Sequence, residues 1–534
     1  MAWSPNFTMA LTHAPVKPKF VLQFLPMPYF IGSGLKIAGG YSQGDYPAIK
    51  DGGPSIRGTS IIPQTWNVSF GGFTVPIVGN IRKLFPMIRK GSLAELWADI
   101  NGKIERVAIG QLRNIRGFGK SWNLEFIDLI SAMQSRTDAR KGTNATGGDP
   151  DKFTLFNTLG IEVNLTSNWS PSSSASNPIS VDDVRPFQLE TGEYGLARCV
   201  DSSGNEFYIE YSSAITTSAP AGVLNLAYAH TSSTIVYPSL NACSHLSSST
   251  AKIYSAAQLK GKPYDIFGKI LLSRNGSGVN TLDKYPSSYN FGANLNESIL
   301  DRGDIQAQKY IKSSAPATTD YKWHYILTAP LTNGIRTIVD TAALTGQWPT
   351  WRQNSITWRG CQKPEDATYT AAKIDDSNII QINNIDIFDP NNKSTFFRSR
   401  TIYGINSSST ILANMKDGTG AQIEYFPAES YKQRDLRFVY GYNPNTAPTD
   451  RLRCSIGDIN RLFEWDTRVW TKISIRVQLK FAKLTSGDII EIKSNYLSTF
   501  MPTNVKKIWH RGMILSCDWN FLNSYCSLSI AILI

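Results

Sequence analysis

Residue types that catalyse reactions or bind metal ions are present, but their spacing matches no known catalytic or metal-binding pattern. The histidines lack the H-x-x-x-H and H-E-x-x-H spacings that place two zinc ligands on one helical face; they are His13, His230, His245, His324 and His510. Four aspartates lie close together without the regular oxygen spacing of a calcium-binding loop; they are Asp375, Asp376, Asp386 and Asp389. No G-x-S-x-G turn and no G-x-x-x-x-G-K-[ST] phosphate loop occurs. We therefore expect no catalytic centre, no bound metal and no cofactor.

A carbohydrate-active site is the enzymatic alternative that the composition leaves open. Glycoside hydrolysis needs two carboxylates roughly 5–10 Å apart, and the chain has 42 Asp and Glu residues from which a pair could form. Its 13 Trp and 23 Tyr would suit a groove that binds sugars. In a β-rich chain such rings more often fill cores and interfaces, and we prefer that interpretation.

A row of three cations is the candidate contact surface for a partner. Lys472, Arg476 and Lys480 fall on one face of an alternating segment, because side chains an even number of residues apart point the same way on a strand. Such a stripe could face an acidic ring of a partner protein, or the phosphate backbone of DNA in a channel. A solvated outer face explains the same pattern equally well.

Charge and composition favour a partner with an acidic surface. The 534-residue chain has a net charge of +12 and a pI near 9.2, and its Lys and Arg residues are dispersed. Dispersed positive charge fits an acidic protein surface better than direct binding of nucleic acid. Charged residues make up only 18% of the chain, below the roughly 25% of an average soluble protein. Ser, Thr and Asn supply the polarity instead, as in many β-rich extracellular or virion proteins.

The cysteines and apolar segments indicate a protein made in a reducing cytosol and without a membrane span. No two cysteines are separated by only two residues; the six are Cys199, Cys243, Cys361, Cys454, Cys517 and Cys526. We predict buried free thiols, although the last two flank a turn and could meet across strands. The first fifteen residues lack the basic head and apolar run of a secretory signal. No run of about twenty apolar residues occurs.

The C-terminal region has the clearest strand pattern. Apolar and polar residues alternate from residue 473 to residue 481, which predicts a strand with one apolar face. In the turn at 484–488, Gly487 is free to take positive φ. Further strands are predicted at 489–492, 513–519 and 528–534. This pattern predicts an antiparallel sheet curled round one core, as a barrel or half-sandwich.

Residues 61–136 have a similar pattern. Alternation at 66–70 and 73–77, on either side of Gly71-Gly72, predicts a hairpin, and Asn101-Gly102 predicts another. Asp128 can cap a short helix at 129–136.

The whole chain divides into five predicted parts. The fold class is a β-rich, multidomain α+β protein, with two related antiparallel β-barrel-like domains and, between them, a small β insertion and a helical segment. Helices are expected at 263–271 and 337–344. The parts are an extended N-terminal arm at 1–60, a first barrel-like domain at 61–140, a Ser/Thr/Asn-rich β insertion at 141–250, a mixed helical domain at 251–365 and a second barrel-like domain at 366–534.

Several segments resemble the central hub proteins at the tail tip or baseplate of tailed bacteriophages. The string LTSGDIIEI, followed by KKIWHRGMILSCDWNF and a terminal strand, resembles their closing domain. GSLAELWADINGKIERVAIGQL and WNLEFIDLISAMQSR resemble their first barrel domain. KPYDIFGKILLS, LDKYPSSYNFG, ILDRGDI and WRQNSITWRG resemble the helical segment and the element that follows it. The matches occur in the family's order and are weakest in 1–60 and 140–250.

The resemblance implies a structural protein rather than an enzyme. In this family the first and last barrels alternate round a homotrimer, and the resulting ring docks onto the hexameric tail tube. The implied partners are the tail-tube or distal-tail ring protein, the central spike or tip protein, the tape-measure protein and the genome DNA in passing. The implied location is the distal end of a virion's tail, after synthesis in the host cytoplasm. The alternative is a receptor-binding adhesin or carbohydrate-active enzyme of the virion tail.

Overall fold

A computed structural model describes the fold over part of the chain. The described residues are 3–12, 18–25, 29–32, 48–51, 53–62, 67–84, 88–134, 160–170, 178–187, 195–204, 206–226, 246–261, 267, 274–276, 279–284, 323–327, 339, 342–343, 346–352, 355–361, 364–367, 369–388, 395–402, 422–425, 432–439, 465, 470–495, 509–521 and 523–533.

Those residues are mostly in β-strands, which confirms the prediction of a β-rich protein. Helix α1 spans Pro5–Ala10 and helix α2 spans Leu129–Gln134. The strands up to residue 226 are β1 (Lys19–Leu25), β2 (Tyr29–Gly32), β3 (Ala48–Ile49), β4 (Ser55–Arg57), β5 (Ser60–Ile62), β6 (Asn67–Ser69), β7 (Gly72–Val78), β8 (Leu93–Ile100), β9 (Lys103–Phe118), β10 (Ser121–Asp128), β11 (Glu162–Asn164), β12 (Ile179–Val181), β13 (Gly195–Val200), β14 (Glu206–Ser218) and β15 (Ala221–Leu226). The later strands are β16 (Lys252–Gly261), β17 (Arg274–Gly276), β18 (Val279–Lys284), β19 (Trp323–Leu327), β20 (Gln347–Arg352), β21 (Ser355–Gly360), β22 (Ala372–Asp375), β23 (Ile379–Phe388), β24 (Thr395–Ile402), β25 (Gln422–Tyr425), β26 (Lys432–Val439), β27 (Trp470–Gln478), β28 (Ile489–Lys493), β29 (His510–Asn520) and β30 (Tyr525–Leu533).

One large sheet contains both the first and the last strands of the chain. It has 14 strands, and its main path runs β2-β1-β8-β9-β10-β7-β4-β29-β30-β27-β23. β4 links the two halves, because it pairs with β7 along one edge and with β29 along the other. The apolar faces of both halves line a single core. The prediction of a β-rich fold is therefore confirmed. The two predicted barrel-like domains are instead halves of one sheet, and its described strands do not close into a barrel.

The first half contains the predicted hairpin between β8 and β9. Asn101 and Gly102 have φ of 54° and 79°, the left-handed pair that a two-residue turn of this type requires. β10 follows β9 and leads into α2. Asp128 accepts the backbone N–H of Ser131 at 2.8 Å, which confirms the predicted helix cap.

The glycine pair at residues 71–72 is not the predicted hairpin turn. β6 pairs with β5, whereas β7 pairs with β10, β3 and β4. A Cβ on Gly71 would overlap the carbonyl oxygen of Arg57, and a Cβ on Gly72 would overlap that of Phe126. Glycine is therefore required because neighbouring backbones pass too close for a side chain.

The N-terminal residues pack into the core of the large sheet. The ring centroids of Trp3 and Trp519 lie 5.4 Å apart, and the Trp3 indole N–H donates to the carbonyl oxygen of Arg106 at 2.9 Å. Ser4 caps α1 by accepting the N–H of Phe7 at 3.2 Å, and β1 pairs with β8. The described part of the expected extended arm is thus a helix and strands of the main sheet. The five-part division of the chain itself stays a prediction.

A second sheet of seven strands forms within the predicted insertion. Its order is β11-β16-β13-β14-β15-β12, with β19 beside β16, and it has its own core. β16 and β19 lie beyond the expected boundary at residue 250. In the stretch 251–365, the described residues are mostly strands. Helices were expected at 263–271 and 337–344, and most of both ranges lies outside the described residues. The residues of these ranges that are described are helical; they are Phe267, Val339, Ala342 and Ala343.

The C-terminal strands differ from the prediction in length and pairing. β27 ends at Gln478, and a 3₁₀ turn follows over Leu479–Lys483. Gly487 has φ of +88°, as predicted. β28 does not return along β27: it pairs with β29 antiparallel and with β22 in parallel. The turn therefore joins two strands of the large sheet that do not pair with each other.

Candidate functional site

The three predicted contact residues lie on β27 and just beyond it. Lys472 and Arg476 alternate with buried residues of that strand, so they point away from the core. Four residues along a strand separate them by about 13 Å. Lys480 is instead in the 3₁₀ turn, where its ammonium lies 5.2 Å from the ring centroid of Phe481. The structure thus places two of the cations on one strand face and the third in the adjoining turn.

Arg476 is held by two neighbours. Its guanidinium lies 4.8 Å from the ring centroid of Tyr525, and its Nη1 donates to Oε1 of Gln381 at 2.8 Å. Lys472 is in register with Asp386 of β23. Because the cations stand among amide, hydroxyl and carboxylate groups, this face suits a polar or anionic partner better than an apolar one.

A buried ion pair joins the turn at 484–488 to the β20–β21 hairpin. Nε of Arg359 donates to Oδ1 of Asp488 at 3.0 Å, and both side chains are 1% exposed. The second carboxylate oxygen of Asp488 accepts the backbone N–H of Thr485 at 3.0 Å. Both charges are removed from water, so each one requires its partner. The sequence did not show this pairing, because the two residues are 129 positions apart.

Three hydroxyl groups extend this contact. Oγ1 of Thr350 lies 2.7 Å from Oγ1 of Thr485 and 3.1 Å from Oγ of Ser486. Thr485 also donates to the carbonyl oxygen of Trp351 at 2.9 Å. The hydroxyl-bearing side chains are buried, so these hydrogen bonds replace their contacts with water. The segments WRQNSITWRG and LTSGDIIEI, both singled out in the sequence, therefore meet in one buried polar cluster.

A small cavity lies where the two halves of the large sheet meet. It has a volume of about 20 Å³, and its wall includes Asp128, Trp351, Thr485, Cys517 and Trp519. That is room for about one water molecule and far below the roughly 300 Å³ at which ligand pockets begin. The cavity is therefore a packing feature of the junction and not a substrate site.

Two carboxyl groups at this junction are shifted toward their neutral form. Burial raises the pKa of Asp128 to about 7, although the N–H and hydroxyl of Ser131 act against the shift. Burial also raises the pKa of Asp518, whose Oδ1 accepts the backbone N–H of Gly58 at 3.0 Å. Asp128 caps α2 and Asp518 fastens β29 to the residue after β4, so both carboxyls have structural roles.

The described cysteines are buried thiols outside any disulfide, as predicted; they are Cys199, Cys361, Cys517 and Cys526. The Trp519 indole N–H donates to Sγ of Cys517 at 3.3 Å. Burial, followed by a hydrogen bond with Cys517, raises the pKa of the Cys526 thiol. These two thiols therefore meet across β29 and β30, as the sequence allowed. Cys243 and Cys454 lie outside the described residues.

The aspartates near β22 and β23 are engaged in hydrogen bonds within the chain. Asp375 accepts the N–H of Ser377, Asp376 accepts that of Asn495, and Asp386 accepts the side-chain amide of Asn384. Within the described residues, no group of three or more His, Cys, Asp or Glu side chains could hold a metal ion. None of the helices in the described ranges has the length and apolar character needed to span a bilayer.

Comparison with known proteins finds solved structures that are similar, but no similar sequence. No family model matches the sequence, and no curated protein matches it. The chain is similar to the tail protein from Neisseria meningitidis MC58, at 9% identity and a TM-score of 0.37, over 96% of each chain.

Two further solved structures are similar at the same level. The 43 kDa tail protein of prophage MuSo2 from Shewanella oneidensis has 8% identity and a TM-score of 0.34, over 96% of this chain and 98% of that one. The prophage tail protein gp18 from Listeria monocytogenes EGD-e has 9% identity and a TM-score of 0.33, over 96% and 94%. At these TM-scores the likenesses carry no argument about the fold or function of this chain.

Proposed function

We propose that this protein is a structural component of a bacteriophage tail, the central hub at the distal end. It forms a homotrimeric ring that joins the tail tube or distal-tail ring to the spike or tip. The ring encloses the channel through which the genome is ejected, and it also contacts the tape-measure protein. It has no catalytic role.

The observation that carries this proposal is the junction between the two halves of the large sheet. The segments that resemble the first and last barrels of hub proteins lie more than 300 residues apart in the sequence, yet β4 joins them in one sheet around one core. A ring subunit with two such segments side by side presents both to its neighbours. The buried Arg359–Asp488 pair fixes the β20–β21 hairpin against the same core, which gives the rigid frame that a mechanical part needs.

The native mass of the purified protein tests the ring. Light scattering is expected to give three times 59.2 kDa. A monomer at all concentrations would contradict the ring. Cleavage of a polysaccharide by the pure protein would instead support a carbohydrate-active tail enzyme. Antibody labelling of purified particles tests the location, and label anywhere other than the distal end of the tail would contradict the hub.

We assign Lys472, Arg476 and Lys480 to the contact with a partner or the channel. The double variant Lys472→Glu with Lys480→Glu reverses the charge at the two positions that do not bond Gln381. The expected result is particles with normal amounts of the protein and reduced infectivity. Arg185→Glu, on the insertion, is the control because Arg185 lies outside the candidate surface and forms its ion pair with Asp183, two residues away. Equal infectivity of both variants would remove this assignment while leaving the ring intact.

A further inference from the structure

The hairpin between β9 and β10 presents a basic strand edge beside which no described strand lies. β8 pairs with β9 only as far as Leu93↔Gln111. Past that point β9 has β10 on one side, and no described strand lies along its other edge. Phe118 ends this stretch and is 92% exposed. The segment 113–122 contains two arginines, one lysine and no acidic residue.

The outer face beside this edge is also apolar in part. Phe118 is in register with Ser121 of β10, which is in register with Val78 of β7. Val78 is 42% exposed. Arg116, two residues before Phe118, pairs at 3.4 Å with Glu125, whereas no ion pair of Lys120 occurs in the described ranges. An exposed aromatic ring framed by cations is typical of a protein contact surface.

The strand β23, at one end of the large sheet, presents a second edge that is unpaired among the described strands. It pairs with β27 from Ile379 to Phe388, and no described strand lies along its other edge. Ile380 on this strand is 55% exposed. The segment 374–389 contains four aspartates and no lysine or arginine. The cations of β27 lie one strand further in, where Lys472 is in register with Asp386 and Arg476 donates to Gln381.

The two edges are complementary in length, charge and apolar character. Six residues of β9 and a similar length of β23 both span about 20 Å. One edge is basic with an exposed Phe, and the other is acidic with an exposed Ile. Unpaired strand edges add further strands readily, and proteins normally cover them. Two different surfaces of one chain that fit each other produce head-to-tail association, which closes into a ring when the rotation allows it.

We infer that residues 113–118 of one copy pair with residues 379–386 of a second copy of this chain. This inference rests on the proposed ring and specifies the surfaces that form it. Phe118 packs against the Ile380 side of the neighbouring strand, and Arg113 and Lys120 lie against the aspartates. Each copy donates one edge and accepts the other, so a closed ring leaves neither edge open.

Charge reversal tests this pairing. Arg113→Glu with Lys120→Glu reverses the basic edge without touching the Arg116–Glu125 pair, and Asn383→Lys with Asp386→Lys reverses the acidic edge. Like charges across an interface oppose association, so each pair of changes is expected to raise the dissociation constant of the trimer roughly tenfold or more. All four changes in one chain restore opposite charges and are expected to restore assembly. Unchanged circular dichroism and melting temperature show that each variant folds.

The outcomes separate this pairing from the ring itself. The pairing is supported if the wild type is a trimer, both double variants lose trimer formation and the fourfold variant recovers it. A wild-type trimer that all variants retain overturns the pairing, while the ring stands. A wild-type monomer overturns both. Hydrogen exchange gives a second measurement: backbone amides of 113–118 and 379–386 are expected to be protected in the trimer and exposed on dilution, and equal exchange in both states overturns the pairing.

Discussion

Arg359 and Asp488 form a fully buried ion pair, with 3.0 Å between Nε and Oδ1 and both side chains 1% exposed. The pair connects a hairpin in the middle of the chain to the turn that begins its last strands. Its two charges are stable in the core only together, because each would otherwise be buried without compensation. Several measurable properties of the protein depend on this and neighbouring contacts.

Asp488→Asn is expected to lower the free energy of unfolding by about 3–5 kcal/mol, since it leaves the Arg359 guanidinium buried without its counter-charge. Urea denaturation measures the change. The control is Asp183→Asn, which breaks an exposed pair with Arg185 and is expected to cost at most about 1 kcal/mol. Similar losses in the two variants would show that burial does not decide the strength of the Arg359 pair.

Gly487→Ala is expected to destabilise the protein more than Gly102→Ala. Both glycines have positive φ, +88° and +79°. An added Cβ at Gly487 would lie 2.8 Å from Cβ of Arg359, whereas at Gly102 no atom lies within 4 Å. The Gly102 variant therefore carries only the backbone penalty of about 1 kcal/mol, and the Gly487 variant adds a clash to it. Equal midpoints in urea would contradict the close packing of the turn.

Asp128→Asn is expected to flatten the dependence of stability on pH. The pKa of Asp128 is about 7 in the folded protein and about 4 in an unfolded chain. The folded state thus holds more protons between these values, and stability falls as pH rises from about 4 to about 7, by about 4 kcal/mol in total. Asn stays neutral and can still cap α2. Melting temperatures across this range check the prediction, and parallel curves for the two proteins would contradict it.

Trp3→Ala is expected to cost about 3–5 kcal/mol, as for other large aromatic side chains removed from a core. Trp3, just before α1, is buried against Phe7 and Trp519, while Met9 of α1 is 59% exposed. Met9→Ala is therefore the matched control and is expected to change the unfolding free energy by less than about 0.5 kcal/mol. If both variants unfold like the wild type, the N-terminal helix is not part of the core.

The sequence predicted local structure correctly where that structure depends on residues close together in the chain. The φ-positive turn at Asn101-Gly102, the cap at Asp128 and the alternation along β27 depend only on neighbouring residues. The glycines at 71–72 misled the prediction, because close approach of two backbones and a tight turn both select glycine. The partners of β28 were also hidden, since pairing with β22 depends on residues more than 100 positions away.

The candidate contact surfaces were likewise predictable only where they depend on neighbouring residues. The alternation that placed Lys472 and Arg476 on one face is local, and both are on that face. Lys480 is not on that face, because the strand ends at Gln478 and a 3₁₀ turn follows in which Leu479 and Phe481 are buried. The edges of β9 and β23 that no described strand covers had no local signal, because the pairing of an edge depends on distant residues.

The position of β4 has a consequence for how the protein is made. β4 lies near residue 56, yet one of its two neighbours, β29, follows more than 400 residues later, and Gly58 is bonded to Asp518 across 460 positions. During synthesis, the edge of β4 and the Trp519 side of Trp3 therefore stay uncovered until β29 has left the ribosome. Contacts this distant in sequence form slowly and expose apolar surface meanwhile. Only a chain translated past β29 can complete this core, so products that stop before it lack the strand that pairs with β4.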